Sequence, residues 1–231
     1  MSKKESIPII YEDENLLAVN KPARVVSVPD PNTPLERSVL GMVKEQCAER
    51  GFNPFLLHRL DVQTSGVLLF GKTPKLRSEL EEILVAPTTR KKYVALLKGI
   101  PRGNKIENPL KSRESGELVP AKTDFRVLRH FDLFGIPCSI VEAEIHGGRR
   151  HQIRQHFAQI GCPVAMDAQY GDIKFNKKFR IGFHFSRLFL HSKSLQFVHP
   201  VTQKTTLIEA PFPPDMMSVS KKVFGRGNMI F

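Results

Sequence analysis

The sequence predicts an α+β fold with a mainly antiparallel sheet flanked by helices. Two pairs of apolar runs are joined by short connections, Ile7 to Tyr11 with Leu16 to Asn20, and Thr123 to Phe131 with Ile136 to Ile145. Connections this short make hairpins, whereas parallel strands need crossovers of about a dozen residues or more. Other stretches place apolar residues three and four apart, open on capping residues and close on glycine, which is the pattern of helices packed by one face.

In chain order, the first hairpin turns through Glu12-Asp13-Glu14-Asn15, and Lys21-Pro22 ends its second strand. A helix is expected over Thr33–Gly51. Thr33 caps it, Pro34 sits where a missing N–H costs nothing, and Glu36 completes a capping box. Leu35, Val39, Val43 and Cys47 form its apolar face, and Gly51 suits a left-handed end. A turn at Thr64-Ser65-Gly66 leads into Val67-Leu68-Leu69-Phe70, short and apolar enough to be a buried strand. The next helix opens at Thr73-Pro74 with Leu76, Leu80, Ile83 and Leu84 inward. Arg90 to Gly99 reads as a strand with Tyr93, Ala95 and Leu97 on one face.

Ile100 to Lys122 is rich in Gly, Pro and charge and is expected as a surface excursion. After the second hairpin, His146-Gly147-Gly148 turns into a helix from about Arg150 to Ile160. There Ile153, Phe157 and Ile160 share a face, and His151, Arg154, Gln155 and Ala158 line the stripe beside it. Residues 172–186 are basic and aromatic. Lys174, Lys177, Lys178 and Arg180 suit phosphates with Phe175 and Phe179 between them, and a solvated amphipathic segment is the plainer reading. Leu195 to Val198 and Thr206 to Ile208 complete the sheet. Residues 1–6 are expected to be disordered, 7–214 to form one catalytic domain, and 215–231 to be a basic tail.

Lys and Arg total 35 against 23 Asp and Glu, a net charge of +12. That excess favours a polyanionic partner, nucleic acid being the commonest, although charge also serves solubility alone. Cys47, Cys138 and Cys162 are scattered, with no CxxC pair, which fits a reduced cytosol better than disulfides or zinc. Nothing approaches the apolar length of a membrane span, and MSKKES lacks the apolar core of a signal peptide. A soluble cytoplasmic protein is expected.

The stretch LLHRLDVQTSGVLLFGKT carries the densest chemistry. Asp61 stands beside His58 and Arg59 at the mouth of a buried strand, where an ionised carboxylate is costly unless paired. Such an arrangement serves either chemistry or a structural ion pair. Metal binding is a poor alternative: His146, His151 and His156 recur five apart, which puts them on different helix faces, and arginines lie between them. A Ser/His/Asp triad lacks its GxSxG elbow.

HRLDVQTSG resembles the HRLDxxTSG signature of RluA-type pseudouridine synthases. Further matches follow in order: NLLAVNKPARVVSVP, KKYVALLKG, GRRHQIRQH, CPVAMDAQYG and RLFLHS, so the resemblance spans roughly residues 7 to 212. It implies a single α+β catalytic domain with a mixed, mainly antiparallel sheet and a basic RNA-binding cleft. It also implies an enzyme that isomerises uridine in structured rRNA or tRNA without cofactor or metal, as a monomer with no obligate protein partner.

The resemblance makes Asp61 the nucleophile, Tyr93 the residue that stacks on the base and takes the carbon-5 proton, and Arg154 the ion-pair partner of Asp61. Arg59 would fill the gap left by the flipped base, and Leu190 would be a pocket wall. His58, Thr64, Lys91, Arg149, Arg150, His151 and Gln152 complete the expected RNA- and substrate-binding set. Three positions depart from the family pattern: Arg150 where Ser or Thr is usual, and Met166 and Gln203 where Gly is usual. The rival reading is a catalytically silent RNA-binding or RNA-remodelling protein on the same scaffold. Loss of Asp61, Tyr93 or Arg154 would have favoured it, and all three are present.

Overall fold

The computed structural model describes residues 6–112 and 115–225. Its early elements are β1 (Ile9–Glu12), β2 (Leu16–Lys21), α1 (Val39–Gln46), β3 (Phe55–Leu56), β4 (Ser65–Gly71) and α2 (Arg77–Glu82). Strands β5 (Arg90–Lys98), β6 (Lys105–Ile106), β7 (Leu110–Lys111), β8 (Leu118–Val119), β9 (Thr123–Leu133) and β10 (Ile136–Ile145) follow. Helices α3 (Gln152–Gln159) and α4 (Ile173–Phe183), strands β11 (Leu190–Val198) and β12 (Thr205–Glu209), and helix α5 (Pro214–Phe224) complete the chain. This is the expected α+β class.

Two compact units emerge, one running to Thr89 and regaining the chain at Ser192–Pro211, the other holding Arg90–His191 and Phe212 onward. In the first, the strand order is β1-β2-β4-β11, with β3 on β4 and β12 on β11. β1 with β2, β2 with β4, and β11 with β12 pair antiparallel. Asp13 closes the first hairpin by accepting from the N–H groups of Asn15 and Leu16, the local bonding that makes Asp a turn former. Leu16, Ala18, Val67, Leu69, Leu80, Ile83, Leu195, Phe197 and Ile208 form this unit's core.

In the second unit the order is β5-β10-β9-β6, antiparallel throughout, with β7 and β8 as a separate ribbon in the surface excursion. Phe134 (φ 59°) and Gly135 (φ 73°) make the left-handed turn between β9 and β10, which suits the twist of a tight hairpin. The core joins Val94, Leu96, Ile140, Phe175, Phe179, Phe189, Met216 and Val219.

Several expectations need correcting. The helix of residues 33–51 is interrupted: Leu35–Arg37 is a 3₁₀ turn, and Ser38, not Thr33, caps α1 by accepting from Gly41 N–H at 3.1 Å. Thr33 is instead bonded to Asp30 through both backbone groups, which removes it from any helix start. The strand after Asp61 begins at Ser65, so the turn is Asp61–Thr64, closed by Thr64 N–H to the Asp61 carbonyl at 3.0 Å. Gly66 (φ 117°) lies within that strand, and a Cβ there would stand 2.1 Å from the Ser192 carbonyl oxygen. The basic tail expected from residue 215 is helix α5 as far as Phe224, because Met216 and Val219 are buried on its inner face. Residues 1–5 and 226–231, the remainder of the two expected termini, lie outside the described residues.

Met166 (φ 63°) and Gln203 (φ 56°) both hold left-handed backbone, which explains why glycine suits these positions. The two replacements should have opposite signs. Gln203 is exposed, so Gln203→Gly should raise stability by about 0.5–1 kcal/mol through relief of the left-handed penalty. Met166 packs in the core, and Met166→Gly should lose roughly 2 kcal/mol or more, because the cavity outweighs the relief. Urea titration of the two variants measures both.

Candidate active site

Asp61 is half-buried on a turn that its neighbours hold from both sides. Lys21, completely buried, donates from Nζ to the carbonyls of Pro22 at 2.8 Å, Val62 at 3.3 Å and Thr64 at 2.9 Å. An ammonium has three donors and no acceptor, so this geometry clamps the turn to the end of β2. Arg24 N–H adds a bond to the Val62 carbonyl at 2.6 Å. Ser27 Oγ donates to the Leu60 carbonyl at 2.9 Å and accepts from Leu60 N–H at 3.1 Å. The backbone on each side of Asp61 is therefore fixed by residues some forty positions earlier.

His58 and Thr64 are placed differently from each other. His58 Nε2 accepts from Leu69 N–H at 3.1 Å, which requires the ring proton on Nδ1 and ties the imidazole to β4. Thr64 is buried, and its hydroxyl has no hydrogen-bond partner among the described residues. Arg59 is exposed.

In the second unit, β5 buries Tyr93 to Leu97 on both faces, so alternation separates two buried environments rather than core from solvent. Lys91 and Tyr93 lie two apart and share a face. Lys91 Nζ donates to the Gly147 carbonyl at 3.2 Å, joining β5 to the turn before α3. Burial pushes the Lys91 ammonium down to about 8.

Arg154, on α3, makes a two-pronged pair with Asp167. Nε donates to Oδ2 at 2.7 Å and Nη2 to Oδ1 at 2.9 Å, with the Asp167 side chain fully buried and the Arg154 side chain 11% exposed. Asp167 Oδ1 also accepts from the N–H groups of Gln169 at 2.9 Å and Tyr170 at 3.0 Å. Burial raises the cost of charge on Asp167, but the guanidinium and these amides outweigh it and hold the carboxyl below its ordinary range. The Tyr170 ring lies 5.2 Å from Arg154 Cζ, and its hydroxyl meets His151 Nδ1 at 3.2 Å. Asn176, on α4, brackets the same turn by accepting from Met166 N–H at 2.7 Å and donating to the Asp167 carbonyl at 2.9 Å.

The sequence reading assigned no role to Asp167, Tyr170 or Asn176, and took Lys21 only as a strand end. The first two lie in the matched segment CPVAMDAQYG, and a buried Asp there was the available signal. Gln152 is buried, and its amide donates to the Lys122 carbonyl at 2.7 Å and accepts from Arg149 N–H at 3.2 Å, so it braces the loop before α3. Arg149 and Arg150 are exposed, and Leu190 is buried at the start of β11. Each of the three regularly spaced histidines has its own protein partner: His146 with Asp124, His151 with Tyr170, and His156 with Thr123 and the Asn108 carbonyl.

Solved structures share this fold. The domains called human RNA pseudouridylate synthase domain containing 1 and 4 superpose with TM-scores of 0.71 and 0.72. The first covers 92% of this chain and 86% of its own at 23% identity, the second 91% and 90% at 19%. Residues 15–159 match the family described as RNA pseudouridylate synthase. Ribosomal large subunit pseudouridine synthase C of Pasteurella multocida is 34% identical over 94% of this chain and 67% of its own length. tRNA pseudouridine synthase C of Haemophilus influenzae is 34% identical over 88% of this chain and 92% of its own. The chain belongs to the RNA pseudouridylate synthase family, and it is an isomerase that acts on RNA.

Two substitutions probe the anchors. Asp167→Asn leaves the Arg154 charge without its carboxylate, at an expected cost of about 3–5 kcal/mol. A depressed carboxyl contributes stability above its unfolded value of roughly 3.9 that is lost as pH falls through the folded value. The stability gap between wild type and variant should therefore narrow in acid, as urea titrations from pH 3 to 7 would read. Lys21→Met keeps the length and removes the donors, and denaturant unfolding should register a loss of about 1.5–3 kcal/mol.

Proposed function

We propose that this enzyme converts specific uridines of structured tRNA or rRNA to pseudouridine with Asp61 as nucleophile. The observation that carries this is Asp61 itself, on a clamped turn within HRLDVQTSG, inside the matched segment of the family. The names of the relatives supply the two RNA classes. We take residues 7–214 as one catalytic domain, since the family match crosses the unit boundary at Thr89.

The reaction breaks the carbon–nitrogen glycosidic bond, turns the uracil and joins carbon 5 to the sugar. The carbon-5 proton leaves and the released nitrogen gains one, so nothing is consumed. Asp61 attacks the sugar or the base, since a carboxylate serves either route. Tyr93 stacks on the base with its ring and takes the carbon-5 proton with its phenol. Arg154 keeps the Asp61 carboxylate ionised where water is excluded. Asp167 takes the Nε and Nη2 side of that guanidinium.

A base cannot react inside a stack, so it is flipped out, and exposed Arg59 fills the vacancy. The buried Thr64 hydroxyl, without a hydrogen-bond partner among the described residues, is suited to a polar atom of the flipped nucleotide. Leu190 lines the pocket, while Lys91, Arg149 and Arg150 hold phosphates, with His58 and His151 orienting their turns. Catalysis by a cytoplasmic monomer is consistent with this reading.

Pseudouridine mapping of tRNA and rRNA from cells lacking the gene tests it. Complementation with wild type should restore at least one site, and Asp61→Asn should restore none while still binding the RNA. A map unchanged by deletion, with RNA binding intact, would overturn catalysis on these RNAs in favour of a silent binder.

A further inference from the structure

Residues 172–186 contribute nothing to the chemistry above, and α4 sorts them into two faces. Phe175 and Phe179 are buried in the core of the second unit, so neither ring is available to stack on a base. The outer face holds Lys174, Lys177, Lys178 and Arg180, all exposed, with Ile173 (83% exposed) and Ile181 (66%) at its edges.

These cations are poorly placed for the helix itself. Lys174 stands in the first turn, at the positive end of the helix dipole, and the first turn itself holds no acid. Lys174 with Lys178, and Lys177 with Arg180, are like charges at neighbouring positions on the helix surface. Between Ile173 and Ile208 the sequence contains no Asp or Glu. None of the four takes part in a salt bridge among the described residues. The N-cap carboxylate, Asp172, is already bonded to Phe175 N–H and to Lys98. A surface that is electrostatically costly to the free protein is made favourable by a polyanion.

The helix is also firmly attached to the catalytic elements of its unit. Asp172 pairs with Lys98 at the end of β5, the strand that carries Tyr93. Asn176 bonds on both sides of Asp167, which orients Arg154.

We propose that the outer face of α4, centred on Lys174, Lys177 and Lys178, is a second RNA-contact surface. It docks on the phosphate backbone of a stem flanking the target uridine and registers that stem against the element carrying Arg154. The proposal rests on the RNA isomerase reading. RNA is favoured over an anionic membrane because cations dominate the face and only two isolated isoleucines flank them.

The test compares wild type with Lys174→Gln/Lys177→Gln/Lys178→Gln, and with a charge-matched control, Lys204→Gln/Lys221→Gln/Lys222→Gln, at exposed lysines elsewhere. Binding and turnover are measured with deproteinised total tRNA and total rRNA from cells lacking the gene, at several salt concentrations, and binding also with vesicles of anionic phospholipid. The α4 variant should bind about tenfold or more weakly near 0.15 M salt, and the slope of log affinity against log salt should fall by roughly 2–3. Its KM should rise while kcat at saturating RNA stays at the wild-type value, and its thermal midpoint should not drop.

Affinity and slope equal to wild type would overturn the proposal while leaving the enzyme reading intact. An equal loss in the control would overturn it in favour of net charge alone. A defect confined to vesicles of anionic phospholipid would overturn it in favour of a membrane. Wild type that neither binds nor isomerises either RNA would remove the isomerase reading as well.

Discussion

A buried guanidinium must keep its charge, and the second unit is organised around meeting that requirement. Arg154 is removed from most of its solvent, and Asp167 compensates with two parallel hydrogen bonds inside the protein. Such a pair is only as stable as the geometry of both partners, because desolvation rivals the attraction. The surroundings supply that geometry. The Gln169 and Tyr170 amides hold the carboxylate, the Tyr170 ring flanks the guanidinium, and Asn176 pins the backbone on either side of Asp167. Met166 accepts an unfavourable backbone angle in the same turn. Strain beside a fully bonded carboxylate shows which term dominates.

The first unit solves a different problem, that of presenting a carboxylate on a turn without letting the turn move. Its solution uses backbone carbonyls rather than a counter-charge held by another helix. Lys21 places one buried Nζ among three carbonyls, two of them within the turn that begins at Asp61. Ser27 then holds Leu60 through donor and acceptor together. Gly66 lets the strand beyond the turn pass against Ser192, which no side chain would permit. The placement of Asp61 thus comes from neighbours that bond its turn through backbone groups.

Periodicity and turn chemistry were legible wherever local forces decide. The hairpin at Asp13, the buried Leu80 of α2, Ile153 and Phe157 of α3, and the strands of the second hairpin follow from residue type and spacing, whereas Ile160, expected on the same α3 face, is the exposed C-cap. Thr33 misled because a Ser/Thr-Pro-x-Glu pattern satisfies a helix start locally, while a non-local choice bonded Thr33 to Asp30 and left capping to Ser38. The brace at Gln152 is hidden for a related reason: its bond to the Lys122 carbonyl spans 30 residues, which spacing at a helix start does not reveal. The segment after Asp172 read as basic and aromatic, but only packing showed that Phe175 and Phe179 point inward while the lysines remain outside.

The sequence by itself determined the α+β class and the family through its ordered motifs. Each of these is written in short contiguous stretches. Tertiary structure alone decided which carboxylate braces Arg154, what clamps the Asp61 turn, and which face of α4 meets solvent. Those partners lie between nine and forty-three residues apart in the chain. Hydrogen bonds and burial depend on distances in space, and spacing along a chain does not encode them beyond a helical turn or a hairpin.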